Sequence, residues 1–423
     1  MIDEHNCMNY VSEIVYKVPV STANFNDVVA NADLQTTYFD GLGRAIQGVN
    51  KQSLPGQIDA VIPFVYDNYN RQPMSYLPYG KGVNGHYKTD AIINGHYTQS
   101  DQYLFYQEAS NVAHDVSPFS KKVFDASPLN RVIEQGSPGS VWQPVNGSPT
   151  QGKTIKYGYE INTTNDGVEN WDISGDLPVS QGIFSNTVGN GNTIGQLAKT
   201  ITTDEEGHQV LEFVDKQGQT VLKRVQTHKN GFSEEWADTY YIYDDFGNLR
   251  FVLPPMANKK LDEGATIDDR FLSQWCFSYK YDNRQRMIEK RVPGSDWVYM
   301  VYDDRDRLVL TQDGNQRDPE KTTGREWTFT KYEQLNRSIA TGIYTHPVVL
   351  RQQQMQIYVK GRVGDEDGGM RRTMEIATYT DIQTCPFLQE YPKMTILLLP
   401  IMIIMVLKVC RIMVRLLNMT LLS

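Results

Sequence analysis

The 423-residue sequence predicts an all-β fold of stacked antiparallel hairpins, and three observations carry that expectation. One is a recurring aromatic–acid pair with Arg, Asn or Gln four residues after the acid. Another is the short alternating apolar–polar run on either side of each copy, as in Tyr299-Met300-Val301-Tyr302 and Leu308-Val309-Leu310. The third is composition: 25 Tyr, 32 Gly and 19 Pro suit many short strands joined by tight turns. Tyr fits a half-buried pleated surface because its ring packs while its hydroxyl stays wet.

The copies, in order, are Phe39-Asp40…Arg44, Tyr66-Asp67…Arg71, Tyr243-Asp244…Asn248, Tyr281-Asp282…Arg286 and Tyr302-Asp303…Arg307. Weaker copies are Val214-Asp215…Gln219, Tyr332-Glu333…Arg337 and the stretched Phe124-Asp125…Arg131. Each reads as a β-hairpin. The aromatic ends one strand, and the acid opens the turn, where its carboxylate accepts backbone N–H groups. Gly41-Leu42-Gly43, Asp245-Phe246-Gly247 and Lys216-Gln217-Gly218 supply turn chemistry, with a Gly near the tip at positive φ. The Arg begins the return strand, within reach of the acid for a charge-assisted hydrogen bond. Irregular separations between copies favour hairpins with variable insertions over a strict solenoid.

Around this array the chain divides by composition. Residues 1–145 read as a mixed, β-rich N-terminal domain. Inside it, a Tyr/Gly/Ser/Pro-rich stretch from about 78 to 144 holds one helix-compatible segment, Asp101 to Val112, which Ser100 or Asp101 is placed to cap. Residues 146–200 are a Gly/Asn/Thr-rich segment of β and loops, with strand-like Thr154 to Tyr159 early on. Residues 201–365 hold the later hairpin repeats, and 366–423 an unstructured or spurious tail.

Bulk chemistry excludes several functions. Net charge is −9, with no basic stripe before the last fifty residues, so nucleic acid is not an expected partner. Cys7, Cys276, Cys385 and Cys410 have neither disulfide nor zinc spacing. The opening MIDEHNCMNYVSEIVYK lacks the basic and apolar regions of a secretory signal, and reads equally as an internal start within a longer gene.

The turn motif resembles that of the bacterial Rhs/YD-repeat proteins. The first 145 residues resemble the domain of unknown function that precedes the repeats in one branch of that family. The matching phrases are Tyr38 to Arg44, Tyr76-Leu77-Pro78-Tyr79, Ser127 to Arg131 with Glu134-Gln135-Gly136, and Val141-Trp142-Gln143-Pro144. The resemblance covers residues 8 to 365. It implies a YD-repeat β-shell, secreted or surface-attached, that commonly encloses a C-terminal toxin. The implied partners are then the downstream shell and toxin portions of that architecture. The family's self-cleaving aspartate core has no counterpart in this sequence.

The tail carries its own argument. Met394 to Leu407 is an apolar run of 14 residues, shorter than the roughly 20 needed to cross a bilayer, and Pro400 interrupts it. A membrane is therefore a partner only if that run is genuine. Reading each codon's last base with the next two forces Asp at Met394-Thr395 and at Met402-Ile403. The same shift forces Gly at Met405-Val406 and at Met413-Val414. The surrounding codons permit NDYFTVTYYDNYGFKGLPDYG, which contains another aromatic–Asp unit. The tail is accordingly read as out of frame, with the slip between Val363 and Ala377.

Individual candidate sites fare poorly against plainer explanations. Gly189-Asn190-Gly191-Asn192-Thr193-Ile194-Gly195 has the wrong spacing for a phosphate loop and reads as a turn. Asp204-Glu205-Glu206 with His208 reads as a solvated hairpin tip, since adjacent strand residues face opposite ways. Asp244-Asp245 and Asp303-Asp304 lack further oxygen ligands for Ca²⁺. There is no Gly-x-Ser-x-Gly elbow, and His86, His96 and His346 sit in unrelated contexts. Trp142 and Trp297 are candidate glycan platforms, against ordinary cross-strand packing. No catalytic, cofactor-binding or metal residue is assigned. The expected function is a non-catalytic structural segment, with a carbohydrate- or protein-binding module on the cell surface as the alternative.

Overall fold

The computed structural model describes residues 8–17, 32–145, 152–184, 187–188, 192–193, 196–230 and 233–362. The expected frame slip, the apolar run at 394–407, most of the Gly/Asn turn at 189–195, and Cys7, Cys385 and Cys410 lie outside these residues.

The chain opens with β1 (Asn9–Tyr16), β2 (Ala32–Phe39), β3 (Ala45–Leu54), β4 (Ile58–Pro63), β5 (Met74–Tyr76) and β6 (Tyr79–Gly80). Then come α1 (Asp101–Glu108), β7 (Phe119–Phe124), β8 (Val132–Gly136) and β9 (Ile155–Ile161). A hairpin of β10 (Glu169–Ser174) and β11 (Leu177–Ile183) precedes the short β12 (Thr187–Val188) and β13 (Asn192–Thr193). The chain continues through β14 (Ala198–Thr203), β15 (Gln209–Val214), β16 (Thr220–Asn230), β17 (Ser233–Tyr243) and β18 (Leu249–Leu253). After α2 (Pro255–Asp262) and α3 (Asp269–Trp275) follow β19 (Phe277–Tyr281), β20 (Met287–Arg291), β21 (Val298–Tyr302) and β22 (Leu308–Gln312). The short α4 (Gly314–Arg317), β23 (Glu326–Tyr332), β24 (Ser338–Thr345) and α5 (Gln352–Arg362) complete the described chain. The expected all-β class holds, and the pairings between neighbouring strands are antiparallel.

Two compact bodies result: the described residues of 1–166 with 185–237, and those of 167–184 with 238–362. In the first, β1-β2-β3-β4-β6 form a five-stranded sheet, and β5-β7-β8-β9-β14-β15-β16 pair in succession. The compositional break at 145 falls between β8 and β9, which pair Glu134 with Lys156; the break at 200 falls inside β14. Alternation sets the buried face of β2, where Thr36 and Tyr38 are enclosed and Asp33 and Gln35 are exposed. Tyr38 packs with Val49, Val61, Tyr79 and Ala91. Beside this cluster the fully buried Asp59 accepts from Gln52 N (3.0 Å), Gly85 N (2.7 Å) and Lys88 Nζ (3.1 Å). Three donors, one of them the Lys88 cation, offset the cost of burying that carboxylate.

The expected helix forms but ends at Glu108, four residues short of Val112. Ser100 occupies the N-cap position without capping it. Its hydroxyl instead accepts the Ile93 N–H at 2.8 Å, and so ties the preceding loop to the helix start.

In the second body β18 to β24 pair in chain order. Val301, Leu310, Trp327 and Phe329 form its core, which α5 closes with Met355 and Val359. Gln352 Nε2 donates to the Met300 carbonyl (2.8 Å), and Gln356 bonds both the N–H and the C=O of Tyr302. Sequence periodicity did not point to α2, α3 or α5. The local signals for two of them are nonetheless present. Pro255 stands at the first helical position of α2, and the Asp268 carboxylate accepts the Phe271 N–H to cap α3. Cys276 is fully buried, and burial pushes its thiol up to about 12.

Candidate functional site

The chemistry-bearing residues of this chain collect at the hairpin turns. In the 303–307 turn Asp303 N donates to the Arg307 carbonyl (3.0 Å) and Asp306 N to the Asp303 carbonyl (3.1 Å). This is a three-residue loop, a type I turn followed by a left-handed residue. Asp303 Oδ1 accepts the N–H groups of Arg305 (3.0 Å) and Arg307 (2.9 Å), and Oδ2 accepts Arg307 Nε at 2.7 Å. The carboxylate thus replaces the cross-strand acceptor that the turn withholds from Arg307 N. The same bonds recur at Asp40, Asp67 and Asp282. Asp215 and Asp244 cap their turns alike, with Gln219 and Asn248 in the Arg position. In the stretched copy Asp125 still receives Arg131 N and Nε, at 3.2 and 2.8 Å. Burial pushes the Asp282 carboxyl up, but the Arg286 hydrogen bonds, the Arg284 N–H and the guanidinium charge outweigh it. The net result is a carboxyl below the usual carboxylate range.

The residue just before the Arg position takes positive φ in every turn, including Asn130 of the stretched copy. Gly fills it at Gly43, Gly218 and Gly247, as expected, but Asn70, Gln285, Asp306 and Asn336 fill it elsewhere. Asn and Asp tolerate this region because their short polar side chains bond locally. Asp204 lies at the tip of a β-hairpin and is a further copy of the motif that sequence reading did not count. It accepts the Glu206 and His208 N–H groups at 2.9 and 2.8 Å, and Gly207 is left-handed. Thr203 in the aromatic place and His208 in the Arg place hid it; Gly three residues after the acid was the visible signal.

Sequence reading also missed how one turn engages the next. Arg44 stacks on Tyr66, Arg71 on Phe124, Arg131 on Tyr159, Arg286 on Tyr302 and Arg307 on Tyr332, at 4.3 to 5.2 Å from the ring centres. The hydroxyls of Tyr66, Tyr159, Tyr281, Tyr302 and Tyr332 donate back to the carbonyls of Ala45, Val132, Leu249, Met287 and Leu308, at 2.7 to 3.0 Å. Each acceptor immediately follows the Arg or Asn of the preceding turn. The guanidinium also reaches the left-handed residue of the next turn: Arg71 to Asn130 (2.9 Å), Arg286 to Asp306 (2.8 Å) and Arg307 to Asn336 (3.4 Å).

Register at these junctions is constant. The residue three after the Arg or Asn faces the residue three before the next aromatic. The pairs are Gln47↔Pro63, Met74↔Lys121, Glu134↔Lys156, Phe251↔Ser278, Glu289↔Tyr299 and Leu310↔Phe329. The arrangement binds, orients and stacks hairpins, and its acids are spent on backbone N–H groups and guanidinium partners.

The remaining candidates are dispersed. Among the described residues no group of three or more His, Cys, Asp or Glu is placed to hold a metal ion. Asp244 and Asp303, the first acids of the two candidate Ca²⁺ pairs, are turn caps. His346 is buried with Nδ1 near the Val348 carbonyl, while His96 is exposed. Trp142 lies under Lys153, and Trp297 lies between Lys280 (4.9 Å) and Arg291 (4.5 Å), so both rings already carry cations. Among the described residues no helix is long and apolar enough to cross a membrane.

Comparison with known proteins adds the following. No curated protein matches the chain. Among solved structures it is similar to a crystal structure of TcdB2-TccC3, with 14% identity and a TM-score of 0.46 over 75% of this chain. It is also similar to a TcdB2-TccC3-TEV structure (15%, 0.45, 76% of this chain) and to the Photorhabdus luminescens Tc holotoxin pore (14%, 0.43, 75%). The chain spans 13% of the length of each of those chains. Residues 12–157 match a family described as a domain of unknown function, DUF6443.

Proposed function

We propose that this chain is a non-catalytic scaffold segment, part of an Rhs-type β-shell wall, whose role is to be stacked on and continued by further hairpins. The observation that carries this reading is the junction: one register and one Arg–aromatic contact, repeated in both bodies. The turn acids, the residues best suited to acid–base work, are engaged as caps. The phrase resemblance to Rhs/YD-repeat proteins extends the proposal to a secreted or surface-attached wall around a toxin, with downstream shell and toxin portions as partners. We include in it that residues after about 365 are an out-of-frame read-through; an intact frame on resequencing the gene would sink that part.

The scaffold reading is tested on the full chain with a hydrolase substrate panel and a glycan array. No turnover and no specific micromolar binding are expected. Turnover abolished by Asp204→Asn with the fold retained, or glycan binding lost in Trp142→Ala, would overturn it in favour of an enzyme or a surface-binding module.

A further inference from the structure

The strand β24 breaks a pattern kept by the return strands that begin after Arg44, Arg71, Arg131, Arg286 and Arg307, whose guanidinium is covered by the next aromatic ring. Its Arg337 holds the place of Arg286 and Arg307, whose side chains are 10% and 23% exposed, yet it is 72% exposed. Arg337 bonds the Glu333 of its own turn, but no ring of a following turn covers it among the described residues. Ile339 and Ile343, on one face of β24, are 50% and 57% exposed. In β22 the equivalent of Ile339 is Val309, which is half-buried. Among the described residues β24 ends its sheet. Natural edge strands are usually short, or blunted by Lys, Pro or an inward charge. The eight residues SIATGIYT contain none of these.

Resting on the scaffold reading, we propose that the outer edge of β24 is the docking site for a β-hairpin of a partner chain whose first strand ends in an aromatic–acid pair. Its aromatic ring stacks on Arg337, and a Tyr hydroxyl there donates to the Ser338 carbonyl. The residue three before that aromatic faces Ala340, and an Asn or Asp at the left-handed position of its turn meets the free arm of the guanidinium. Each statement is the constant junction rule moved one step on, so the site continues an interface already present six times. A second copy of β24 fits less well, because no aromatic–acid pair in it would cover Arg337.

Disulfide trapping on the full chain tests this. The probe is a 15-residue peptide copying Val298 to Gln312, with its Tyr299 position changed to Cys, offered to Ala340→Cys and Thr341→Cys proteins. Trapping at Ala340→Cys is expected to be at least about tenfold faster than at Thr341→Cys. It should slow at least about fivefold when Arg337→Ala is added, or when the peptide carries Tyr302→Ala. Arg337 is exposed, so its loss leaves the fold intact. Equal rates at the two positions, rates no faster than those of the unsubstituted protein, or indifference to Arg337→Ala would each overturn the proposal. So would disulfides between two protein chains instead of chain and peptide. Trapping measures neither turnover nor glycan binding, so its failure is distinguishable from failure of the scaffold reading.

Discussion

Arg307 and Arg337 stand at the same place in successive turns and differ in what lies beyond them. Arg307 bonds Asp303, stacks on Tyr332 and reaches Asn336. Removing it should cost about 1–2 kcal/mol, since a partly buried charge-assisted bond and a ring contact are lost together. Arg337→Ala should leave stability nearly unchanged, because an exposed ion pair is solvated and screened. Urea midpoints of the two variants check the contrast, and equal losses would show that the next ring adds nothing. Acid tests the other partner. The Asp282 carboxyl is held below its ordinary 3.8, so its contribution is present above that value. It is lost as pH falls through the lower folded-state value. The stability gap between the natural protein and Asp282→Asn should therefore be widest near pH 6 and close below about pH 4. A gap constant down to pH 2.5 would remove the carboxylate's charge from the account.

At the scale of one hairpin, the turn was legible because it is local. Five consecutive residues contain the acid, the tip and the Arg, and each has a backbone reason to be there. The exception was Asp204, whose flanks Thr203 and His208 depart from the pattern while its backbone bonds do not. Junctions were illegible for the opposite reason. Arg71 and Phe124 meet across an intervening stretch that includes α1, and no local spacing announces that contact. The tip position makes a clean test of backbone strain against packing. Gly218 has φ +84° and nothing within 4 Å of an added Cβ, so Gly218→Ala should cost about 1–2 kcal/mol through conformation alone. Gly218→Asn should cost less, since Asn70 and Asn336 fill the same position in sister turns. Gly342 in β24 is the converse case. It has ordinary backbone, but its Cβ would meet the Phe329 ring at 2.8 Å. Thermal melts of the three variants should rank Gly218→Asn above Gly218→Ala, and Gly342→Ala should lose roughly 1–3 kcal/mol by crowding.

Across a whole body, sequential hairpins touch mainly their neighbours, so stability should build one junction at a time. The second body departs from this where the C-terminal helix α5 packs on β21, a strand inside the sheet and not its edge. Met355 and Val359 of α5 are fully buried against Val301, Leu310, Trp327 and Phe329, and Gln356 satisfies both backbone groups of Tyr302. Truncation should therefore have a sharp boundary. Ending the chain after Asp365 keeps α5, and the melting temperature should stay within about 1–2 °C if the residues beyond contribute no packing. Ending it after Arg351 strips two buried apolar side chains, each worth about 1.5–3 kcal/mol, and leaves the Tyr302 N–H and C=O without their glutamine partner. A fall of roughly 10 °C or more is expected for that variant by differential scanning calorimetry. A comparable fall already at Asp365 would mean that the last residues are a folded, packed part of the protein, and the out-of-frame reading of the tail would be lost with it.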